Sequence, residues 1–413
     1  MDFPGAYLNA DLEQEVYMRI EPRLAKILVE VAPDVYKKFV NQRGDLIVRL
    51  KKALYGLVES AKLWNDLLAK ELKQLGFDSN AKDKCVFNKI VNGVQITVLV
   101  YVDDLLVTCV DGGAIRDLYD TLGARYPGLK MEEGPVINYL GQTLDFSNEG
   151  KCKVSMKKYV EEVLEDCEVD GFAATPASND LFVVGEGEKL SKAKADAFHS
   201  RVAKLFYLAK RVRPDLLTAV AWLATRVQDS TSIDWEKLTR VLKYLKATPE
   251  ECLTLAGDII VTAYIDASYG VHEDSKSHSG VVIQLGSGTV YVSSRKQKIN
   301  SKSSTEAELI ALSDGLTQVI WVREFLIEQG YEQKQTAIYQ DNKSTILLAT
   351  RGYSNSERTR HINSRYFWIA DRIQSGEVVL EHLGTDDMLA DLLTKPLQGE
   401  LFKRMRREML GGE

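Results

Sequence analysis

The chain has 413 residues, 45% hydrophobic and 27% charged, enough length and apolar content for about two or three packed domains. No apolar run approaches the length of a membrane span and no charged-then-apolar leader opens the sequence, which excludes a helical membrane protein and points to a globular, soluble, intracellular one. The net charge of -6 excludes attraction of the whole molecule to a polyanion, so any nucleic-acid affinity has to come from local basic surfaces.

The chain begins abruptly at Met1-Asp2-Phe3-Pro4-Gly5, with no preceding segment to pair beside it. Asn41-Gln42-Arg43-Gly44 is a turn cluster, after which residues 45–50 read as a strand. Residues 58–75 read as a helix, with Leu63, Leu67, Leu68 and Leu72 at helical spacing and Gly76 as its stop. An apolar hairpin follows, with Tyr101-Val102-Asp103-Asp104 at its tip. Gly134-Pro135 marks a turn before short strands at 139–144 and 153–155. A helix is expected over 157–167, a polar surface loop over 175–187, and helices throughout 198–247, interrupted at Arg211-Val212-Arg213-Pro214. Strands return at 259–267, 280–285 and 289–294, the last two joined by Gly286-Ser287-Gly288. A long helix over 304–329, a strand at 337–340, a short helix, a helix over 361–373, a strand at 378–383 and a final helix complete a mixed sheet flanked by helices. Cys85, Cys109, Cys152, Cys167 and Cys252 show no Cys-x-x-Cys or histidine spacing, so they read as buried thiols and not as a zinc site or a disulfide framework.

Two groups of acids carry chemistry. Asp103 and Asp104 lie between Val98-Leu99-Val100 and Leu105-Leu106-Val107, so strand, tight turn and strand bring both to the rim of a sheet. Adjacent like charges repel, and a divalent cation held by hard oxygen ligands relieves the repulsion. An acidic hairpin turn is the plainer alternative. Farther on, Asp266 late in a strand, Glu306 in the first turn of the long helix, Asp341 at a strand end and Asp391 opening the last helix follow at spacings of 40, 35 and 50 residues. Strand ends and helix starts can converge on one edge of a sheet, where four acids could hold two cations for in-line attack on phosphate. Singly, Glu306 fits a capping box with Ser303 and Asp341 a helix cap. Arg295, Lys296, Lys298 and Lys302 form a basic stretch beside Glu306 that could track a nucleic-acid backbone, although such runs are usually solvated faces.

The strings Lys52-Ala53-Leu54-Tyr55-Gly56-Leu57, Tyr101-Val102-Asp103-Asp104, Tyr139-Leu140-Gly141, His361-Ile362-Asn363-Ser364-Arg365-Tyr366 and Ala390-Asp391-Leu392-Leu393-Thr394-Lys395, in this order, resemble the Pol polyprotein of copia-type long-terminal-repeat retrotransposons over nearly the whole chain. The resemblance implies an α+β and α/β multidomain chain. Its parts would be an N-terminally truncated reverse transcriptase palm with partial fingers (1–150), a helical thumb or connection (151–255), a ribonuclease H-like domain (256–395) and a C-terminal tail (396–413). It also implies RNA-directed DNA polymerisation and hydrolysis of the RNA strand of an RNA–DNA hybrid, each with two Mg2+ or Mn2+ ions per active site. Asp2, Asp103 and Asp104 would form the polymerase triad, with Asp2 and Asp103 the direct ligands. Tyr7, five positions after Asp2, would pack under the incoming sugar and exclude a 2'-hydroxyl, while Tyr139, Leu140 and Gly141 would position the primer terminus. Glu59 stands where many relatives carry Gln and would bring negative charge near the nucleotide. Asp266, Glu306, Asp341 and Asp391 would be the nuclease ligands. His382 is a candidate proton shuttle, read more simply as a strand-end surface histidine. The implied partners are RNA template, DNA primer, RNA–DNA hybrid and deoxynucleoside triphosphates, without a membrane and with a homodimer left open. The implied compartment is the cytoplasm, in a virus-like particle, or the nucleus.

In the family, finger strands precede the motif of Asp2, and here they are missing, leaving Asp2 at a fraying end. The expectation is therefore weak or absent polymerase activity with nuclease activity retained. A decayed or domesticated fragment that binds nucleic acid without polymerising is the competing reading. A third is another nuclease or an integrase on the same fold, separated from the first by preference for a hybrid.

Overall fold

In the computed structural model, which describes residues 1–167, 169–352 and 363–412, the chain divides into two units, Met1–Glu132 and Glu133–Glu413. In the first unit, β1 (Asp11–Ile20) and β2 (Leu46–Lys52) pair antiparallel around α1 (Pro22–Val31) and the short α2 (Pro33–Tyr36). Each of these helices has a proline in its first turn, where the missing N–H breaks no helical bond. α3 (Ser60–Gln74) buries Trp64, Leu68 and Leu72 as a stripe at fourfold spacing. A four-stranded antiparallel sheet follows, in the order β3 (Asp78–Ser79), β4 (Val86–Val91), β5 (Val94–Tyr101), β6 (Asp104–Thr108). Alternation along β5 sends Ile96, Val98 and Val100 into one core with α3 and with Leu118 and Leu122 of α4 (Gly112–Arg125). The tip of the hairpin β5–β6 is thereby fixed at the rim of that core.

In the second unit, β7 (Val136–Tyr139), β8 (Gln142–Asp145) and β9 (Lys151–Ser155) form an antiparallel sheet that β10 (Leu253–Ala256) completes beside β9. Between β9 and β10 run α5 (Lys157–Glu165), α6 (Lys192–Ala209), α7 (Leu217–Ala224) and α8 (Ser232–Ala247). The break at residues 211–214 is held by a buried pair, Arg213 to Asp215 at 2.8 Å, with the Tyr244 hydroxyl donating to Asp215 at 2.7 Å and Arg213 donating to the Thr248 carbonyl at 2.8 Å. A dry ion pair is tolerable only with such extra hydrogen bonds. Residues 175–187, expected on the surface, instead bury Thr175, Ala177 and Leu181. The reason is Lys237 of α8, whose ammonium exchanges water for the carbonyls of Asp180, Leu181 and Val183 at 2.9, 2.9 and 2.6 Å.

The mixed sheet has the order β13 (Gly288–Lys296), β12 (His278–Leu285), β11 (Val261–Ser268), β14 (Thr336–Gln340), β15 (Val378–His382). β11, β12 and β13 are antiparallel neighbours, while β14 and β15 run parallel to β11. Val281 and Ile283 enter a core with α9 (Ser304–Glu328) and α11 (Asn363–Gln374), which follows the short α10 (Lys343–Arg351). Val282 enters another core, with α7, the 389–393 turn and α12 (Gly399–Met409). The sheet is thus covered on both faces. The first two residues expected in the 361–373 helix lie outside the described residues. Residues 396–413, expected as a tail, carry α12 and bury its Phe402, Met405 and Met409. Asp391 does not open that helix. It sits in a 3-10 turn, Leu389–Leu393, which Pro396 separates from α12. The five cysteines are free thiols. Cys167 is buried, and the others are half-buried. No described helix is long and apolar enough to cross a membrane.

Candidate functional site

Ala263 and Ile265 of β11 enter the α9 core, so alternation turns Asp266 to the opposite face, toward the 389–393 turn. Gly280 stands opposite Asp266 in the β11–β12 register. A Cβ there would lie 2.7 Å from Thr394 Cγ2, 2.8 Å from the Ala390 carbonyl oxygen and 3.0 Å from Leu393 Cβ, so glycine is what lets the turn settle on the sheet. Hydroxyls then fasten its backbone: Thr218 donates to the Leu392 carbonyl at 2.5 Å, Ser294 to that of Leu393 at 2.7 Å, and Ser268 to that of Thr394 at 3.0 Å. Thr394 itself donates a hydrogen bond to Asp266. Buried Asp391 is delivered beside Asp266, and Lys395 lies 2.7 Å from Asp391 and 3.8 Å from Asp266.

Asp341 follows the end of β14 and accepts a bond from the Thr385 hydroxyl at 3.2 Å. The fourth acid comes from α9, and it is Glu308. One carboxylate oxygen each from Asp266, Glu308 and Asp341 lie within 4.8 Å of one another. The Gln340 amide holds Glu308 at 3.2 Å, and the Ala267 backbone N–H also donates to it. Glu306, the acid expected here, does another job. Its carboxylate accepts the Lys302 N–H at 2.7 Å while its own N–H donates to Ser303 Oγ at 3.2 Å, which fixes the start of α9. Positions two apart on a helix face roughly 200° apart, so only one of these glutamates can address the strands. Gly315, seven residues after Glu308, would bring a Cβ within 2.8 Å of Ile265 Cδ1, so the helix row that carries Glu308 is the one that meets the sheet.

Crowded carboxylates in a poorly solvated place resist ionising. Burial, then Asp266 and Asp341, hold Glu308 well above the usual carboxylate range. Burial and Asp266 push Asp391 up to about 7, and the same two causes raise Asp341. Burial works against the charge on Lys395, but Asp266 and Asp391 raise its pKa overall. The four acids are hard oxygen donors on the ends of β11, α9, β14 and the 389–393 turn. Such a set suits Mg2+ or Mn2+, whose charge would take the place of the protons now favoured.

In the first unit, Asp2 is not frayed. It bridges Asp104 on one side and Lys130 on the other, donating to the Lys130 carbonyl at 2.9 Å and accepting from the Lys130 N–H at 3.1 Å. Phe3 packs edge-on against Trp64 and Tyr126 with centroids at 5.2 and 5.1 Å, and Trp64 Nε1 donates to the Val102 carbonyl at 2.6 Å. Val102 has φ 56°, a left-handed conformation unfavourable for a β-branched residue, at the turn carrying Asp103. Burial, then Asp103 and Asp2, raise the Asp104 carboxyl. Asp103 accepts a bond from the Tyr55 hydroxyl, and the Tyr55 ring lies 4.4 Å from that of Tyr7. The sequence alone assigns Tyr55 no role. The three acids are neighbours, yet among the described residues the only three potential ligands drawn within 4.8 Å of one another are Asp266, Glu308 and Asp341.

Tyr139 and Gln142 flank a two-residue turn in which Leu140 and Gly141 both have positive φ, 50° and 76°. Glu59 sits at the N-cap of α3, where its side chain makes no capping bond. Arg295 pairs with Asp314 at 3.2 Å and Lys296 with Asp274 at 2.8 Å, so part of the basic stretch is already neutralised, while Lys298 and Lys302 are exposed. His382 is exposed at the end of β15.

Residues 1–178 match the family model "Reverse transcriptase (RNA-dependent DNA polymerase)" and residues 265–378 match "Reverse transcriptase-like". The chain is 29% identical, over 100% of its length, to the Retrovirus-related Pol polyprotein from transposon TNT 1-94 of Nicotiana tabacum. It is 31% identical, over 99%, to that from transposon RE2 of Arabidopsis thaliana. It spans 30% and 27% of the lengths of these relatives. Among solved structures, LC11-RNase H1 isolated from compost aligns with 33% of this chain and 92% of its own, at 19% identity and a TM-score of 0.27.

Proposed function

We infer the function from membership: this chain belongs to the copia-type retrotransposon Pol polyproteins, as their reverse transcriptase and ribonuclease H-like region. On that premise the second unit hydrolyses the RNA strand of an RNA–DNA hybrid. The observation that carries this reading is the approach of Asp266, Glu308 and Asp341 within 4.8 Å, beside Asp391. These four residues would hold two divalent cations, Mg2+ or Mn2+, and Glu308 takes the place expected of Glu306. Bound there, the cations supply Lewis-acid charge at the attacked phosphate and an acidified water. Thr394 orients Asp266, Gln340 orients Glu308, and Lys395 offsets the charge of Asp391. Lys298 and Lys302, with Arg295 and Lys296, contact the backbone of the hybrid.

The polymerase portion is residues 1–150 as palm and partial fingers, with 151–255 as thumb or connection. Asp2 and Asp103 are its metal ligands with Asp104 beside them, Tyr7 lies under the incoming sugar, and Tyr139, Leu140 and Gly141 lie at the primer end. RNA template, DNA primer and deoxynucleoside triphosphates are its substrates. Its polymerase activity is weak or absent, a reading supported by acids that adjoin without drawing together as the second-unit cluster does. The same observation favours the second reading, a fragment that binds nucleic acid without polymerising.

With a labelled RNA–DNA hybrid and Mg2+, the purified chain cleaves the RNA strand and leaves duplex DNA intact, and Asp266→Asn removes the cleavage. Hybrid cleavage that survives Asp266→Asn defeats the nuclease assignment. Strong primer extension abolished by Asp103→Asn defeats the weak-polymerase reading.

A further inference from the structure

Three polar side chains outside the acid cluster form a continuous buried row. His272, in the loop before β12, places Nε2 3.0 Å from His278 Nδ1. His278 Nε2 lies 2.8 Å from Ser294 Oγ, and Ser294 Oγ donates to the Leu393 carbonyl at 2.7 Å. Phe182 covers both imidazoles, with ring centroids at 5.4 and 5.3 Å. His272, His278 and Ser294 are all at least 94% buried.

One proton arrangement satisfies the row. A carbonyl only accepts, so the single hydroxyl hydrogen of Ser294 goes to Leu393. His278 must then donate from Nε2, which leaves its Nδ1 bare to accept the Nε2 hydrogen of His272. Both imidazoles are neutral in this pattern, the state that burial favours at each. The row therefore has a direction. It runs from the loop at His272 to the backbone of the 389–393 turn.

We propose that His272, His278 and Ser294 are positioning residues that fix the Leu393 carbonyl and so set where Asp391 and Thr394 meet Asp266. The proposal rests on the nuclease reading of that site and adds to it the machinery that seats one acid. Leu393 lies two residues after Asp391 and directly before Thr394, whose hydroxyl holds Asp266. A shift of this carbonyl displaces both groups together. At the other end, Phe182 comes from the segment whose carbonyls Lys237 grips, so residues preceding the mixed sheet complete the nuclease site.

The test uses the full 413-residue chain and two readouts, Mn2+ binding by calorimetry and hybrid cleavage as a function of Mg2+. Asp391→Asn defines the metal binding that belongs to this site. Ser294→Ala is expected to weaken that binding about tenfold, at the low end of what loss of an outer-shell partner does, while kcat at saturating metal stays within about threefold. Ser294→Thr, which keeps the hydroxyl, restores the affinity. Unchanged Mn2+ affinity in a Ser294→Ala chain with normal melting overturns the proposal, as does failure of Ser294→Thr to rescue. If Ser294→Ala does not fold, Phe182→Leu must show the same selective loss of metal affinity, and parental affinity there overturns it. If Ser294→Ala weakens metal binding in a chain that cuts no hybrid, the positioning role stands and the nuclease reading falls.

Discussion

Glu308→Gln separates the two glutamates of α9 and can be worked quantitatively. Oxygens of Glu308, Asp266 and Asp341 come within 4.8 Å of one another. At an effective dielectric constant near 20, two full charges at that distance repel by about 3.5 kcal/mol, which adds to burial in holding the Glu308 proton well above the usual range. A carboxyl whose folded pKa is raised binds more protons folded than unfolded, so it costs stability as pH climbs past the unfolded value near 4.3. The amide removes that cost. The metal-free variant should therefore melt above the parent at pH 8, with the difference shrinking toward pH 5. With metal the order reverses. A parent holding Mg2+ at about a hundred times its Kd gains roughly 2.7 kcal/mol, most of which the variant loses. If the lost ligand removes about 3–4 kcal/mol of charge stabilisation at the phosphate, single-turnover hybrid cleavage falls by about two to three orders of magnitude. Glu306→Gln should do the opposite, with cleavage within about fivefold of the parent and stability lower by about 1–2 kcal/mol from the weakened bond to the Lys302 amide. Differential scanning fluorimetry with and without Mg2+, beside the cleavage assay, reads all of this. Abolition of cleavage by Glu306→Gln with full activity in Glu308→Gln would refute the reasoning.

Three further outcomes follow from the same geometry. Because Glu308, Asp341 and Asp391 all hold protons above their usual range, Asp391 to about 7, metal binding has to release them, and Mn2+ affinity should rise between about pH 5.5 and 8. Calorimetry in buffers of different ionisation enthalpy counts the protons, and a pH-independent affinity contradicts the account. Gly280→Ala should lower stability by about 1–3 kcal/mol and weaken Mn2+ binding with it, because the added methyl meets the Ala390 carbonyl. Lost stability at unchanged metal affinity would show that the seat of the turn does not set Asp391. Val102→Asn should raise the melting temperature through relief of about 1 kcal/mol of backbone strain, since asparagine tolerates the left-handed conformation. A lower melting temperature speaks against stored strain at that turn.

What could be read from the sequence was local and periodic. The apolar run before Asp103, the leucine stripe of α3 and the alternating strands of the mixed sheet each declare themselves over fewer than about fifteen residues. Where burial is complete, that signal disappears. Residues 306–313 of α9 are all buried, so polar and apolar positions no longer mark an outer and an inner face, and Glu306 and Glu308 look alike from the sequence. They are told apart only by what each meets: Glu308 the end of β11, Glu306 the amide of Lys302. Residues 175–187 misled for the reverse reason. Their polar, turn-rich composition is that of a surface loop, but their backbone is drawn inward by one ammonium from a helix more than fifty residues away in sequence. The final helix, expected to open at Asp391, runs instead from Gly399 to Met409, where Phe402, Met405 and Met409 are the apolar minority in a highly charged stretch. The contacts that complete the candidate nuclease site are of this long-range kind. Asp266 meets Thr394 across 128 residues, and Ser294 meets Leu393 across 99, pairings set by strand register and by the missing side chain at Gly280. Spacing along the chain could identify the acids as a set. Which glutamate joins them, and what seats the last aspartate, follows only from the packing of both faces of the sheet.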